Sequence, residues 1–87
     1  MQNDVVMMVL PGCPHCKRAF DLIDEVRAKH PEYAMIKIRV VDETQEVAFA
    51  EALDYYYVPT FFVGGKKIHE GHPTLEAILQ VFAAALA

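Results

Sequence analysis

The sequence predicts a single α/β domain in which a four-stranded mixed sheet carries helices on both faces, in the order β-α-β-α-β-β-α. Three features carry this expectation. Residues 5–10 form a continuous apolar run closed by Pro11-Gly12. The stretches 14–29 and 75–87 repeat apolar residues every three or four positions. Thr60 to Val63 and Lys66 to Glu70 flank the pair Gly64-Gly65.

Each element has its own reason. The run 5–10, VVMMVL, shows no polar alternation, as expected of a strand covered on both faces. In 14–29, Cys16, Ala19, Phe20, Ile23 and Val26 share one helix face. Lys17, Arg18, Asp21, Asp24, Glu25 and Arg27 make up the solvent side. His30-Pro31 stops the helix, because a residue before proline is pushed out of helical conformation. Residues 33–41 alternate, with Ala34, Ile36, Ile38 and Val40 on one side and Met35, Lys37, Arg39 and Val41 on the other. Basic side chains on one face predict a strand at or near a sheet edge.

Thr44 is the expected cap of a second helix running to about Leu53, with Glu46 in its first turn. Tyr55-Tyr56-Tyr57-Val58-Pro59 is too aromatic and β-branched to continue it. Gly64-Gly65 predicts a two-residue hairpin, since a type I′ turn requires positive φ at both central positions. Gly71 ends the hairpin and Pro73 lies near the next helix start. Leu75, Ile78, Leu79, Phe82 and Leu86 form the expected apolar stripe of that helix. The first two strands, joined through a helix, should be parallel with a right-handed crossover; the last two should be antiparallel.

A length of 87 residues fits one domain, and an apolar fraction of 54% supplies one core without staples. A net charge of -4 and the lack of a basic stripe interleaved with aromatics speak against nucleic-acid binding. No apolar run approaches the roughly 20 residues of a membrane span. The run 5–10 follows Asp4 rather than Lys or Arg and precedes no small-residue cleavage site, so it does not read as an export signal. The expected compartment is a reducing cytosol, and the expected state is a monomer.

The chemistry concentrates in Pro-Gly-Cys-Pro-His-Cys, residues 11–16, which contains the chain's only two cysteines. Cys13 and Cys16 could form half a metal site, an inert pair or a reacting pair. A structural zinc needs about four ligands, and His30, His69 and His72 lie on separate elements without paired spacing. In a reducing compartment a close pair is more often catalytic or metal-binding than a permanent crosslink. Cys-x-x-Cys at a strand-to-helix junction points to redox chemistry.

Pro14 suits a first helical position, which places Cys13 at the N-cap. There the sulfur lies beside unpaired N–H groups and the positive end of the helix dipole, so the thiolate is favoured. Only a thiolate attacks a disulfide at a useful rate. Cys16 begins the apolar stripe and should be the sheltered, resolving thiol. The imidazole of His15, charged or donating to the sulfur, would lower the thiol pKa further and make the pair more oxidising. Pro59, opening a strand after a non-helical stretch, is a candidate cis peptide; an ordinary trans proline is the alternative.

With these residues in view, the chain resembles the glutaredoxins of the thioredoxin-fold superfamily along nearly its whole length. The resemblance rests on "GCPHC" after the first strand, "YVPTFFVGGKKI" after the second helix, and Gly71 before the last helix. It implies a thioredoxin fold with Pro59 cis beside the cysteine pair. It also implies that the Val58 backbone pairs with an extended substrate like an added strand. Cys13 would form the mixed disulfide and Cys16 would resolve it. Glutathione would be the co-substrate rather than a bound cofactor, and the substrates would be protein disulfides or glutathione mixed disulfides.

Three positions depart from the family pattern. His15 stands where glutaredoxins usually carry Tyr or Phe. Leu10-Pro11-Gly12 is neutral where Lys or Arg is frequent. Gly71-His72-Pro73-Thr74 lacks the usual Asp, and the next carboxylate is Glu76. The candidate substrate contacts are therefore Val58, Lys17, Gly71, His72 and Thr74, with Arg18 nearby in sequence.

Thioredoxin fits less closely: the chain has no Trp, and residues 5–10 carry no buried Asp. The Pro-His dipeptide resembles that of the periplasmic disulfide oxidases, whose large helical insertion has no room here. The expected function is a dithiol–disulfide oxidoreductase with no resident metal. Two alternatives stand beside it. One is a thioredoxin-like carrier served by a flavin-dependent reductase. The other is a scaffold bridging a [2Fe–2S] cluster through the first Cys and glutathione, against which the rigid Pro14 speaks.

Overall fold

A computed structural model of the chain describes residues 3–87. The strands are β1 (Val5–Val9), β2 (Ile38–Asp42), β3 (Thr60–Val63) and β4 (Lys66–Glu70), in the spatial order β2-β1-β3-β4. β1 runs parallel to β2 and antiparallel to β3, and β3 pairs antiparallel with β4. The helices are α1 (Pro14–Lys29), α2 (Val47–Glu51) and α3 (Leu75–Leu86).

The period-two alternation of β1 assigns its side chains to two layers. Val5, Met7 and Val9 enter the larger core with α1 and α3, together with Phe61 and Val63 of β3. Met8 points the other way and packs with Val41 and Phe62 under Phe49 and Ala50 of α2. Helices therefore cover both faces, and the unbroken apolar run of β1 is what a central strand so covered requires. The hairpin has the expected bounds, with Gly64 at φ +58° and Gly65 at φ +84°.

Several details differ from the expectations. The strand expected over 33–41 begins only at Ile38 and is preceded by a 3₁₀ turn at Pro31–Tyr33. Side chains rather than a ladder hold the missing part: Tyr33 stacks on Phe82 with centroids 5.1 Å apart, and Ile36 is buried in the core. On β2, Ile38 packs on the larger core as expected, but Val40 and Val41 exchange their expected burial. Val41, expected beside the basic residues, is wholly buried because α2 covers that side, and Val40 is exposed. Arg39 stays on the α2 side with its guanidinium 4.6 Å from the Phe49 ring centre and a 2.8 Å bond to Glu46.

The second helix shrinks from 44–53 to Val47–Glu51. Thr44 does not cap it; its N–H and hydroxyl both donate to the Asp42 carboxylate, at 2.8 and 2.6 Å. A short side-chain acceptor two residues back competes with helix entry here. Glu46 takes the N-cap position without a capping bond, its carboxylate engaged by Arg39.

On α1, Leu22 rather than Phe20 completes the buried face with Cys16, Ala19, Ile23 and Val26. Phe20 overhangs the edge strand beside Val40. On α3 the buried set is Ala77, Ile78, Val81, Phe82 and Ala85, while Leu75 and Leu86 are exposed. Small alanines on the inner face leave room for Phe82 between the helices and the sheet.

Phe82 is fully buried, stacks on Tyr33 and lies 5.6 Å from the Arg27 guanidinium carbon. Phe82→Ala is expected to destabilise the fold by about 3–5 kcal/mol, the usual range for emptying such a site. Urea unfolding monitored by circular dichroism measures it, and a loss below about 1 kcal/mol would contradict this packing account.

Candidate active site

The site begins where β1 ends. Pro11-Gly12 turns the chain, with Gly12 at φ +72°, a conformation that side-chain-bearing residues rarely adopt. Cys13 follows as the N-cap of α1 with extended backbone (φ −78°, ψ 118°), and Pro14 occupies the first turn. A proline costs nothing there, because that position has no N–H partner within the helix. The Cys13 Sγ accepts a hydrogen bond from the Cys16 N–H at 3.4 Å.

Two chemically identical side chains are thereby made different. Partial burial pushes the Cys13 thiol up. The Cys16 thiol and the backbone N–H groups of Cys16 and His15 outweigh that, leaving it below its ordinary value. Cys16 is buried and is pushed up to about 11. Burial is the main cause, opposed by the Leu10 N–H and reinforced by Cys13 and by the negative charge of Glu43. Glu43 also accepts from the Tyr55 hydroxyl at 2.9 Å. Neighbouring groups with divergent pKa values are a mark of assigned chemical roles.

The His15 Nδ1 lies 3.3 Å from Nδ1 of His72, and the two rings meet edge to face at 5.0 Å. The backbone N–H of His15 is among the groups that lower the Cys13 thiol. His72, a candidate substrate contact, is thus partnered by His15, and its carbonyl is contacted by His69 Nε2 at 2.8 Å.

The Val58–Pro59 peptide is cis. Pro59 is buried, and Cys13 and Val58 both pack against the core shared by α1 and α3. The Gly71 N–H donates to the Pro59 carbonyl at 2.9 Å, latching the end of the hairpin to this loop. Gly71 needs its φ of +91° to do so, and the Tyr57 side chain already stands 3.8 Å from where a Cβ would be. Within the loop, the Thr60 hydroxyl donates to the Tyr57 carbonyl.

Glu70 completes the latch. Its carboxylate accepts from the backbone N–H groups of Tyr56 and Tyr57 and from Lys67 Nζ at 2.8 Å. Lys67 and the two amides hold the Glu70 carboxyl far below the usual range, at about 2. No sequence signal exposed this role, because the partners are 13 and 14 residues away in the chain.

Two further candidates have local duties. Lys17 pairs with Asp21 at 3.6 Å on the exposed face of α1. Thr74 is the N-cap of α3, its Oγ1 accepting from the Ala77 N–H at 3.1 Å. Beside Cys13, on the side away from the Pro59 loop, Leu10, Pro11, Phe20, Val40 and Asp42 line a groove of about 580 Å³. This groove was not anticipated, since Phe20 and Val40 were both expected to be inside the core. Among the described residues, no three His, Cys, Asp or Glu side chains converge as a metal site. No helix among them is long and apolar enough to cross a membrane.

Residues 5–68 match the family model described as Glutaredoxin. The chain belongs to the glutaredoxin family. A monothiol glutaredoxin-3 from Schizosaccharomyces pombe is 28% identical over 82 residues, covering 92% of this chain and 49% of that protein. This chain therefore spans about half the length of that relative. A thioredoxin from Methanocaldococcus jannaschii is 28% identical over 85 residues, covering 94% of each. The solution structure of oxidised thioredoxin from Plasmodium falciparum superposes with a TM-score of 0.64 at 21% identity, covering 99% of this chain and 83% of that one. That likeness shows the thioredoxin fold. Family model and relatives together tie the chain to glutaredoxins and thioredoxins.

The two thiols should separate under alkylation. Iodoacetamide is expected to label Cys13 with a pH midpoint below that of a free cysteine. Cys16 should resist until the pH approaches about 11. Mass mapping across pH reads both, and equal labelling at neutral pH would contradict the assignment.

Glu70 gives a pH prediction of definite sign. Its folded pKa is depressed to about 2 from an unfolded value of about 4.3. Its contribution to stability is thus fully present above about pH 4.3 and is lost as pH falls toward 2. Glu70→Gln should mimic the loss at neutral pH, with severalfold faster hydrogen exchange at the Tyr56 and Tyr57 amides.

Proposed function

We propose that this chain is a dithiol–disulfide oxidoreductase that reduces protein disulfides or glutathione mixed disulfides. Cys13 is the nucleophile and Cys16 the resolving thiol. The observation that carries the reading is the contrast between them. The Cys13 sulfur caps α1 with its pKa lowered, while Cys16 waits one turn in, buried and raised to about 11.

The steps follow from that contrast. The Cys13 thiolate attacks one sulfur of the substrate disulfide, and the new S–S bond to Cys13 expels the other sulfur as a thiolate. The Cys16 proton passes to that departing thiolate, an uphill transfer from a thiol at about 11 that the following attack draws forward. The Cys16 sulfur then attacks Cys13, releasing the second substrate thiol and closing the Cys13–Cys16 disulfide. Two electrons have moved to the substrate, and the enzyme is oxidised by the same two. Two glutathione thiols return them, leaving glutathione disulfide. Accepting an extended substrate through the Val58 backbone beside Pro59 fits strand-like recognition. Gly71 and His72 are the proposed side contacts of this path and Lys17 one on the groove side of Cys13; Thr74 contributes mainly through its cap of α3.

A second electron source is favoured by specific observations. The stretch Gly71-His72-Pro73-Thr74 offers no carboxylate for the glutathione amino group. The M. jannaschii relative, matched over 94% of both chains, is described as a thioredoxin. Both support a flavin-dependent reductase as donor in place of glutathione. Either donor belongs to a reducing compartment, for which the cytosol is the proposed setting, with the chain acting as a monomer.

Turnover of an insulin-type protein disulfide tests the assignment with two donors: glutathione with glutathione reductase, and NADPH with thioredoxin reductase. Cys13→Ser is expected to abolish turnover with both. Cys16→Ser should stop after the first step and accumulate the Cys13 mixed disulfide, visible as a mass increase by the substrate thiol. Undiminished turnover by Cys13→Ser would overturn the proposal.

A further inference from the structure

We propose that the groove between α1 and β2 is a substrate subsite, one that receives an apolar side chain next to the reacting cysteine of a polypeptide disulfide. The inference rests on the oxidoreductase reading and deepens it by naming a substrate class. Single exposed apolar residues are ordinary on a protein surface. Here Leu10, Phe20 and Val40, exposed by 36, 38 and 46%, come from three different segments and converge on one concavity. The volume of about 580 Å³ lies within the range of ligand pockets.

Position commits the groove to one kind of occupant. Cys13 and Cys16 are part of its wall, so the groove adjoins the reacting pair. One residue of extended chain covers at most about 3.6 Å, so the side chain of a residue beside the substrate cysteine can enter the groove from its Cys13 end. The lining draws on no residue beyond Asp42, so it is separate from the Val58–Pro59 loop and the Gly71–His72 turn.

Charge decides against the polar alternative. Glutathione carries two carboxylates and an ammonium group. The charged groups of the groove are Lys17, an exposed cation in a 3.6 Å surface pair with Asp21, and Asp42, which accepts from the N–H and hydroxyl of Thr44. The groove thus rewards loss of apolar surface from water and sets one exposed cation and one carboxylate against the two carboxylates of glutathione.

The test compares two intramolecularly disulfide-bridged peptides that differ only in the residue beside the attacked cysteine, Leu in one and Ser in the other. Wild-type protein is expected to favour the Leu peptide by about tenfold in kcat/KM, the scale of burying part of one aliphatic side chain. Phe20→Ser and, independently, Leu10→Ser should collapse that ratio toward one. Equal kcat/KM on the two peptides in wild type would overturn the subsite, as would a preference that survives both substitutions. Failure to turn over either peptide, or a protein disulfide, would instead overturn the oxidoreductase reading. The wild-type comparison needs no variant, so it stands even if a substitution disturbs folding.

Discussion

Burial of β1 on both faces is the constraint on which the rest depends. A strand with no solvent face has to end in a turn that leaves the sheet, and Pro11-Gly12 supplies that turn. The same geometry decides where α1 starts and therefore which atom caps it. The sulfur of Cys13 is delivered to the helix end by the strand behind it. The layers that make this possible are unequal: α1 and α3 cover one face over most of its area, and the five-residue α2 covers the other. The smaller layer is just large enough to bury Met8, Val41 and Phe62.

From this placement the chemistry follows with few additional parts. Distance from water raises one thiol, and the Cys16 thiol together with backbone amides lowers the other. Neither effect needs a dedicated charged side chain, apart from the field of Glu43 on the buried partner. The variable contributions come from the rim, where His15 and His72 meet and where the apolar groove opens.

Most of the fold was legible because its signals are local. VVMMVL, the Gly64-Gly65 turn, Pro14 ahead of a periodic helix and the Cys-x-x-Cys junction each state their conformation within a few residues. What was illegible depends on a third party. Alternation alone could not show that Val41 is buried, because α2 covers the side it shares with Arg39, whose guanidinium lies over Phe49 while the side chain stays exposed. Phe20 and Leu22 are equally apolar, and only the narrowness of the sheet at its β2 edge decides which is inside. Thr44 had a capping residue's chemistry but found Asp42 first. At the site, both sulfurs were readable from spacing and the cis Pro59 only from the family resemblance, whereas Glu70 and the groove exist only through long-range contact.

The Glu70 latch grips main chain and leaves the side chains alone. Tyr56 and Tyr57 give their N–H groups to the carboxylate while their rings remain exposed by 85 and 70%. The position of Pro59 is accordingly indifferent to what residues 56 and 57 are, provided each has an amide hydrogen to offer. That separates scaffold from vocabulary at the rim of the site. Aromatic, charged or small residues could be exchanged there by mutation without shifting the cysteines, so lineages can change the partners they greet while inheriting the same reaction.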